Sequence, residues 1–192
     1  MSMSGAMRSP TSTAHHPRCG VTFTAPIALA PRIHWSQWED RVAVATPSDF
    51  GVHVFERGRF TRSVRLGDPA ETLSRSDVIA LLEERGVLGP CASEASDYVE
   101  KHGFNARPQL VNAVTLHPDG GMWVLGTARG AEERITVFDS SGVAAGTLPR
   151  DVAMPIAFLP DGRALIQIVD SFDVERIGVV ELAIVSNGIR SR

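Results

Sequence analysis

Two periods divide the chain. Over residues 33–66, and again from residue 111 onward, apolar and polar positions alternate in short runs separated by Gly, Pro and Asp, the pattern of strands with one buried face. In the run 59–66 the alternation sets Phe60, Val64 and Leu66 on one side and Arg59, Thr61, Ser63 and Arg65 on the other, and Arg62 breaks the pattern. Over residues 69–103 alternation gives way to helical spacing. Ser74-Arg75-Ser76-Asp77 offers an N-cap with an acid three residues on, ahead of Val78, Ile79, Leu81 and Leu82, and Gly86 is placed to end that helix. A second, shorter helix is expected from near Ser93 through Tyr98 and Val99 to Gly103, with Pro108 marking the return to β structure. Glu83, Glu84 and Arg85 read as a solvated helix face.

The β regions repeat. Residues 111–148 break into four short strand-like runs, and the segment from Pro155 repeats the first three of them. His117-Pro118-Asp119-Gly120 answers Leu159-Pro160-Asp161-Gly162, and Ile135-Thr136-Val137-Phe138-Asp139 answers Ile177-Gly178-Val179-Val180-Glu181. Phe138 to Val180 is 42 residues, the period of a propeller blade. Residues 33–66 fit the same frame with a shorter central hairpin, Val52-His53-Val54-Phe55-Glu56 standing where Thr136-Val137-Phe138-Asp139 stands later. Pro at the second and Gly at the fourth position of H-P-D-G and L-P-D-G suit a type I turn between the first and second strands of each unit.

Composition narrows the class. A chain of 192 residues holds one ordinary domain, or two small ones. With 43% hydrophobic and 21% charged residues and a net charge of -3, it reads as a solvated globular protein, and nucleic acid is not indicated as a partner. Of its 19 basic residues only Lys101 is a lysine, which we read as codon usage in a GC-rich genome rather than phosphate recognition. Cys19 and Cys91 lie far apart, outside any C-x-x-C spacing, and imply neither a zinc site nor a disulfide framework. No run approaches the ~18 consecutive apolar residues of a membrane span, and residues 1–18 have no apolar signal core. Residues 1–25 are expected to be a disordered leader, or a reading frame begun too far upstream given Met1, Met3 and Met7. Residues 26–192 form the ordered part, with the helical insertion at about 69–106. The compartment is left open.

At Pro118-Asp119-Gly120-Gly121-Met122-Trp123-Val124, at Val137-Phe138-Asp139-Ser140-Ser141-Gly142 and in the run Asp173 to Ile177, the chain resembles the six-bladed β-propellers of the broad NHL/TolB-like group, in particular the last blades of bacterial members. The resemblance spans about residues 26–184. It implies a mainly β fold: a partial β-propeller of about three antiparallel four-stranded meander blades with a two-helix insertion. Propellers close a ring of ~4–8 blades, and blades of ~42 residues allow about three here. An array of that size leaves sheet edges and an apolar face open, so self-association to complete a ring is expected.

Motifs that carry a reaction are missing: there is no G-x-S-x-G elbow, no G-x-x-x-x-G-K loop and no G-x-G-x-x-G after a strand. Asp170, Asp173 and Glu175 are the nearest thing to a calcium cluster, but calcium takes ~6–8 oxygens and one hairpin supplies too few. His15 and His16 lack companion ligands. His34, His53, His102 and His117 are scattered, and read as structural. Trp35, Trp38 and Trp123 read as core, with Trp35 and Trp38 the better surface candidates because they flank a turn. No catalytic, cofactor-binding or metal residue is assigned, and no cofactor. The reading is a non-catalytic binding or scaffold module for a small-molecule or protein ligand, built as part of a longer propeller or as a self-completing one. The alternative that the resemblance implies is a lactonase-like, metal-dependent hydrolase, for which no residue of this chain matches the catalytic calcium set.

Overall fold

The computed structural model describes residues 3–7, 11–16, 21–26, 28–30, 32–46, 51–66, 72–84, 95–107, 110–127, 133–148, 152–169, 173–185 and 188–191. In chain order these form β1 (Met3–Met7), β2 (Thr11–His16), β3 (Val21–Pro26), β4 (Ile33–Trp38), β5 (Arg41–Ala45), β6 (Gly51–Glu56), β7 (Arg59–Arg65), α1 (Arg75–Glu84) and α2 (Ala95–His102). There follow β8 (Val111–Leu116), β9 (Met122–Thr127), β10 (Glu133–Phe138), β11 (Ala144–Thr147), β12 (Ala157–Phe158), β13 (Ala164–Val169), β14 (Glu175–Val180), β15 (Leu182–Val185) and β16 (Gly188–Ser191). The fold is mainly β, with antiparallel pairing within the meanders, and has two helices. Among the described residues no sheet closes on itself.

The chain divides into two compact units. One comprises Met1–Ala6, Ile33–Asp68 and Leu110–Arg192, the other Met7–Arg32 and Pro69–Gln109.

Three meander sheets and the two-stranded sheet β15-β16 lie in the larger unit. The first sheet has the order β1-β4-β5-β6-β7, the second β11-β10-β9-β8 and the third β12-β13-β14, so the third carries three described strands rather than four. Register, not only order, repeats. The central strands pair Ala43 with Ser36 and Val54, Trp123 with Thr115 and Val137, and Leu165 with Ala157 and Val179. Because strand side chains alternate between faces, each of these triplets lies on one face of its sheet, and all three occupy the same position in the repeat.

The sheets are layered in sequence order, β4 adjoining β8 and β8 adjoining β12. Two buried hydroxyls stitch the layers. Ser36 Oγ accepts the Leu116 amide at 2.9 Å, and Thr115 Oγ1 donates to the Pro155 carbonyl at 2.7 Å. Ser36 and Thr115 are the two buried polar residues of the described core, and each meets the demand that a buried polar group be hydrogen-bonded. The second sheet therefore has two inner faces. Leu116, Met122 and Val124 are buried on one, Trp123, Ile135 and Val137 on the other, which is why Met122-Trp123-Val124 reads as continuous apolar sequence and not as alternation.

A β-bulge corrects the expected face of Phe60. Val54 pairs with Arg62 and Phe55 with Phe60, leaving Thr61 as the extra residue. Thr61 Oγ1 donates to the Val54 carbonyl at 2.9 Å. The bulge throws Phe60 onto the opposite face, where it is exposed and its ring centroid lies 6.0 Å from His53 and 5.9 Å from Phe55. Val64 stays inside as expected, and Arg62 stays with it.

The expected turns form. Gly120 N donates to His117 O at 3.1 Å and Gly162 N to Leu159 O at 2.9 Å, and Asp139 to Gly142 makes a third of the same kind at 3.0 Å. Gly162 sits at φ 84° with His117 Nε2 only an ordinary contact away from where a Cβ would stand, 3.6 Å. Gly162→Ala is thus expected to cost about 1 kcal/mol through backbone strain alone, read as a lower denaturation midpoint with unchanged m-value.

In the smaller unit, the Ser74 cap forms as its sequence implies: Asp77 N donates to Ser74 Oγ at 3.2 Å while Asp77 Oδ2 accepts from Ser74 N at 2.8 Å. Val78 and Leu82 of α1 meet Ala95 and Val99 of α2, together with Ala28. The second helix starts at Ala95 and is closed by Gly103, at φ 74°, whose amide donates to Val99 O at 2.9 Å. Ala28 bridges Phe104 in parallel, and β2 pairs with β3. Within residues 1–25, expected to be a leader, lie β1, β2 and most of β3. Gly86, Ser93 and Pro108, expected to punctuate the helices, lie outside the described residues, as do Arg85, Cys19 and Cys91.

Candidate functional site: the turn end of the sheet unit

Three aspartates organise the turns. Asp119 Oδ1 accepts the Gly121 amide at 2.7 Å, and Asp161 Oδ1 the Arg163 amide at 3.1 Å. Asp139 Oδ1 accepts the amides of Ser141 and Val143, both at 2.9 Å, and the Ser141 hydroxyl at 2.6 Å. These are Asx-type closures, in which a short carboxylate replaces a missing backbone partner.

The carboxyls titrate low as a result. Partial burial acts to raise Asp119, but the Gly121 amide, the His117 imidazole and the Arg41 charge outweigh it and hold the group below the usual range. Asp139 is lowered chiefly by the Ser141 hydroxyl, and Asp161 chiefly by the Arg163 guanidinium. For a depressed carboxyl, the stabilisation is fully present above the ordinary value of 3.8 and is lost as pH falls through the lower folded value. Denaturant midpoints should therefore be insensitive to these groups above about pH 5 and fall progressively below about pH 4, with Asp119→Asn flattening part of that fall.

Two arginines of the first sheet hold the turn of the second. Arg41, at the start of β5, donates from Nη2 to Pro118 O at 2.9 Å, and Arg62 of β7 from Nη2 to Gly120 O at 2.7 Å. Arg62 Nε is buried and has no hydrogen-bond partner among the described residues, so this guanidinium is fixed by its terminal nitrogen and by packing. The space is tight: a Cβ on Gly120 would lie 2.7 Å from Arg41 Nη1, and one on Gly142 would lie 3.0 Å from Val64 Cγ2. Neither arginine was assigned a site role from sequence. Arg62 did leave a signal, a charge on the apolar side of an alternating strand, whereas Arg41 left none, since its partner lies 77 residues away.

His117 completes the cluster. Its Nδ1 lies 2.7 Å from Asp119 Oδ1 and 3.4 Å from the Asp119 amide nitrogen. The ring stands edge-on to Phe158 at 4.6 Å, and Nε2 faces Gly162. An Asp–His pair of this kind can orient a general base; here the outer nitrogen lies against the Gly162 turn of the third sheet.

The other singled-out residues do not join this cluster. His53 lies beside Phe60 on the outer face, and His34 is on β4. His102 ends α2, 4.7 Å from Tyr98, its pKa lowered by burial and by Lys101. Trp38 and Trp123 are core, as expected, Trp38 because it ends β4 on the face that meets the second sheet; of the two better surface candidates it is Trp35, on the opposite face, that is half-buried. Asp173 and Glu175 are exposed, and Asp170 lies outside the described residues. Among the described residues no group of three or more His, Cys, Asp or Glu is placed to hold a metal ion, and no helix is long and apolar enough to cross a membrane. Comparison of the chain with models of protein families and with curated proteins finds no match.

Proposed function

We propose that the chain is a non-catalytic binding or scaffold module, its sheets being blades of a partial β-propeller whose turn end contacts a ligand or protein. One observation carries the reading: the aspartates of the turns in the second and third sheets are spent on their own turns. Asp119, Asp139 and Asp161 each close a turn, and Arg41 and Arg62 grip main-chain oxygens. Such groups build a rigid rim, which is what a recognition surface on a layered scaffold needs, and leave no acid or base poised for a substrate. The blade reading is supported by the repeated register, by the equivalent roles of Ser36 and Thr115, and by the succession of first strands β4, β8 and β12.

The test is a crystal structure together with a turnover assay. Sheets fanned around an axis lined by β4, β8 and β12 are expected, and a flat stack without a fan would overturn the blade reading. Full-length protein with added calcium should leave aryl esters and lactones unhydrolysed. Calcium-dependent hydrolysis above the solvent rate would overturn the non-catalytic one.

A further inference from the structure

The register exposes an asymmetry between equivalent positions. Val52 and Val54 of the first sheet, at 0% and 1% exposure, correspond to Ile135 and Val137 of the second, at 4% and 7%, and to Ile177 and Val179 of the third, at 63% and 53%. In the first two sheets this face lies under the next sheet. In the third, the same branched apolar residues stand in solvent, joined by Val169.

We propose that this face of the third sheet is covered by the first sheet of a second copy of the chain, head to tail. The inference rests on the blade reading, and three features select the occupant. The back of the first sheet repeats the surface that the second sheet presents to the first: Trp35, Val42, Val44 and Phe55 stand where Val114, Met122, Val124 and Phe138 stand, and Phe60 adds an exposed ring. The arginine grip recurs. Arg163 precedes Leu165 by two residues on one face, as Arg41 precedes Ala43, and Arg41 reaches the β8–β9 turn of the next sheet. The corresponding turn of the first sheet is Glu39-Asp40, exposed and acidic. Asp40 is held by Arg57 at 2.7 Å and Arg163 by Asp161 of its own turn at 2.8 Å, so a second copy offers the Arg163 guanidinium the Glu39 carboxylate as a further partner. A contact between two different faces of identical chains is heterologous, and it closes into a ring or grows.

Light scattering and sedimentation of the full-length chain over a concentration series are expected to show a dimer or concentration-dependent growth. Val179→Glu places a charge on an exposed residue and should weaken association about tenfold or more, with the thermal midpoint unchanged at concentrations where both proteins are monomeric. Arg163→Glu should also weaken it, and adding Glu39→Arg should restore part of the loss. A monomer at every concentration, or an assembly indifferent to Val179→Glu, overturns the interface. Hydrogen exchange separates this failure from that of the blade reading: a monomer that still protects the Leu116 amide keeps the layered sheets and loses only the second copy, whereas rapid exchange there removes the layering itself.

Discussion

Truncating Phe158 to alanine should lower the stability of the sheet unit by about 3–5 kcal/mol, a large share of what a domain of this size possesses. Phe158 is fully buried, and its ring stands edge-on to Trp123 at 5.3 Å and to His117 at 4.6 Å. Its strand, β12, has only two residues, so little else anchors that edge of the third sheet. The collapse available to neighbouring side chains is limited, because Trp123 is already held in β9 between two pairing partners. Guanidinium unfolding followed by near-ultraviolet dichroism of tryptophan is the measurement: a midpoint shift with a reduced m-value would mean that the third sheet has come loose before the rest. A loss below about 1 kcal/mol would show that the ring is not buried against Trp123.

The second large effect concerns the buried hydroxyls. Ser36→Ala leaves the Leu116 amide without its acceptor, and Thr115→Val leaves the Pro155 carbonyl without its donor, while shape is nearly kept in each case. Each should cost about 1–3 kcal/mol, the desolvation penalty of an orphaned buried group rather than the smaller net value of a hydrogen bond. Ser63→Ala, at an exposed site of β7, is the control and should change stability by less than about 0.5 kcal/mol. Ser36 and Thr115 both act on the short strand β8, so the double variant should depart from additivity, and a cycle of urea midpoints measures by how much.

What the sequence made legible was local. The Ser74–Asp77 cap, the Gly103 stop and the glycine-ended turns each depend on residues within four positions of one another, and each formed as its spacing implied. The three meanders were legible because turn residues recur with the strands between them. The face of Phe60 was not, since a bulge is settled by the pairing of β6 with β7 and its only sequence trace was the discordant Arg62. Which of Trp35 and Trp38 is the more covered was not legible for a related reason: nearness to a turn says nothing of which sheet covers that end of the strand. The site residues Arg41, Ser36 and Thr115 act across gaps of 77, 80 and 40 residues, and an ordinary arginine, serine or threonine in a strand carries no mark of such a partner.

The arginine grip on the second sheet has a consequence for how this surface can change. Arg41 and Arg62 take hold of the Pro118 and Gly120 carbonyl oxygens, atoms that every residue type supplies. This grip is thus indifferent to which side chains the rim displays, except at Gly120, where a Cβ would meet Arg41, provided that the backbone keeps its path. Exposed positions of the rim away from Gly120 can therefore change, by evolution or in the laboratory, while the layers beneath stay joined.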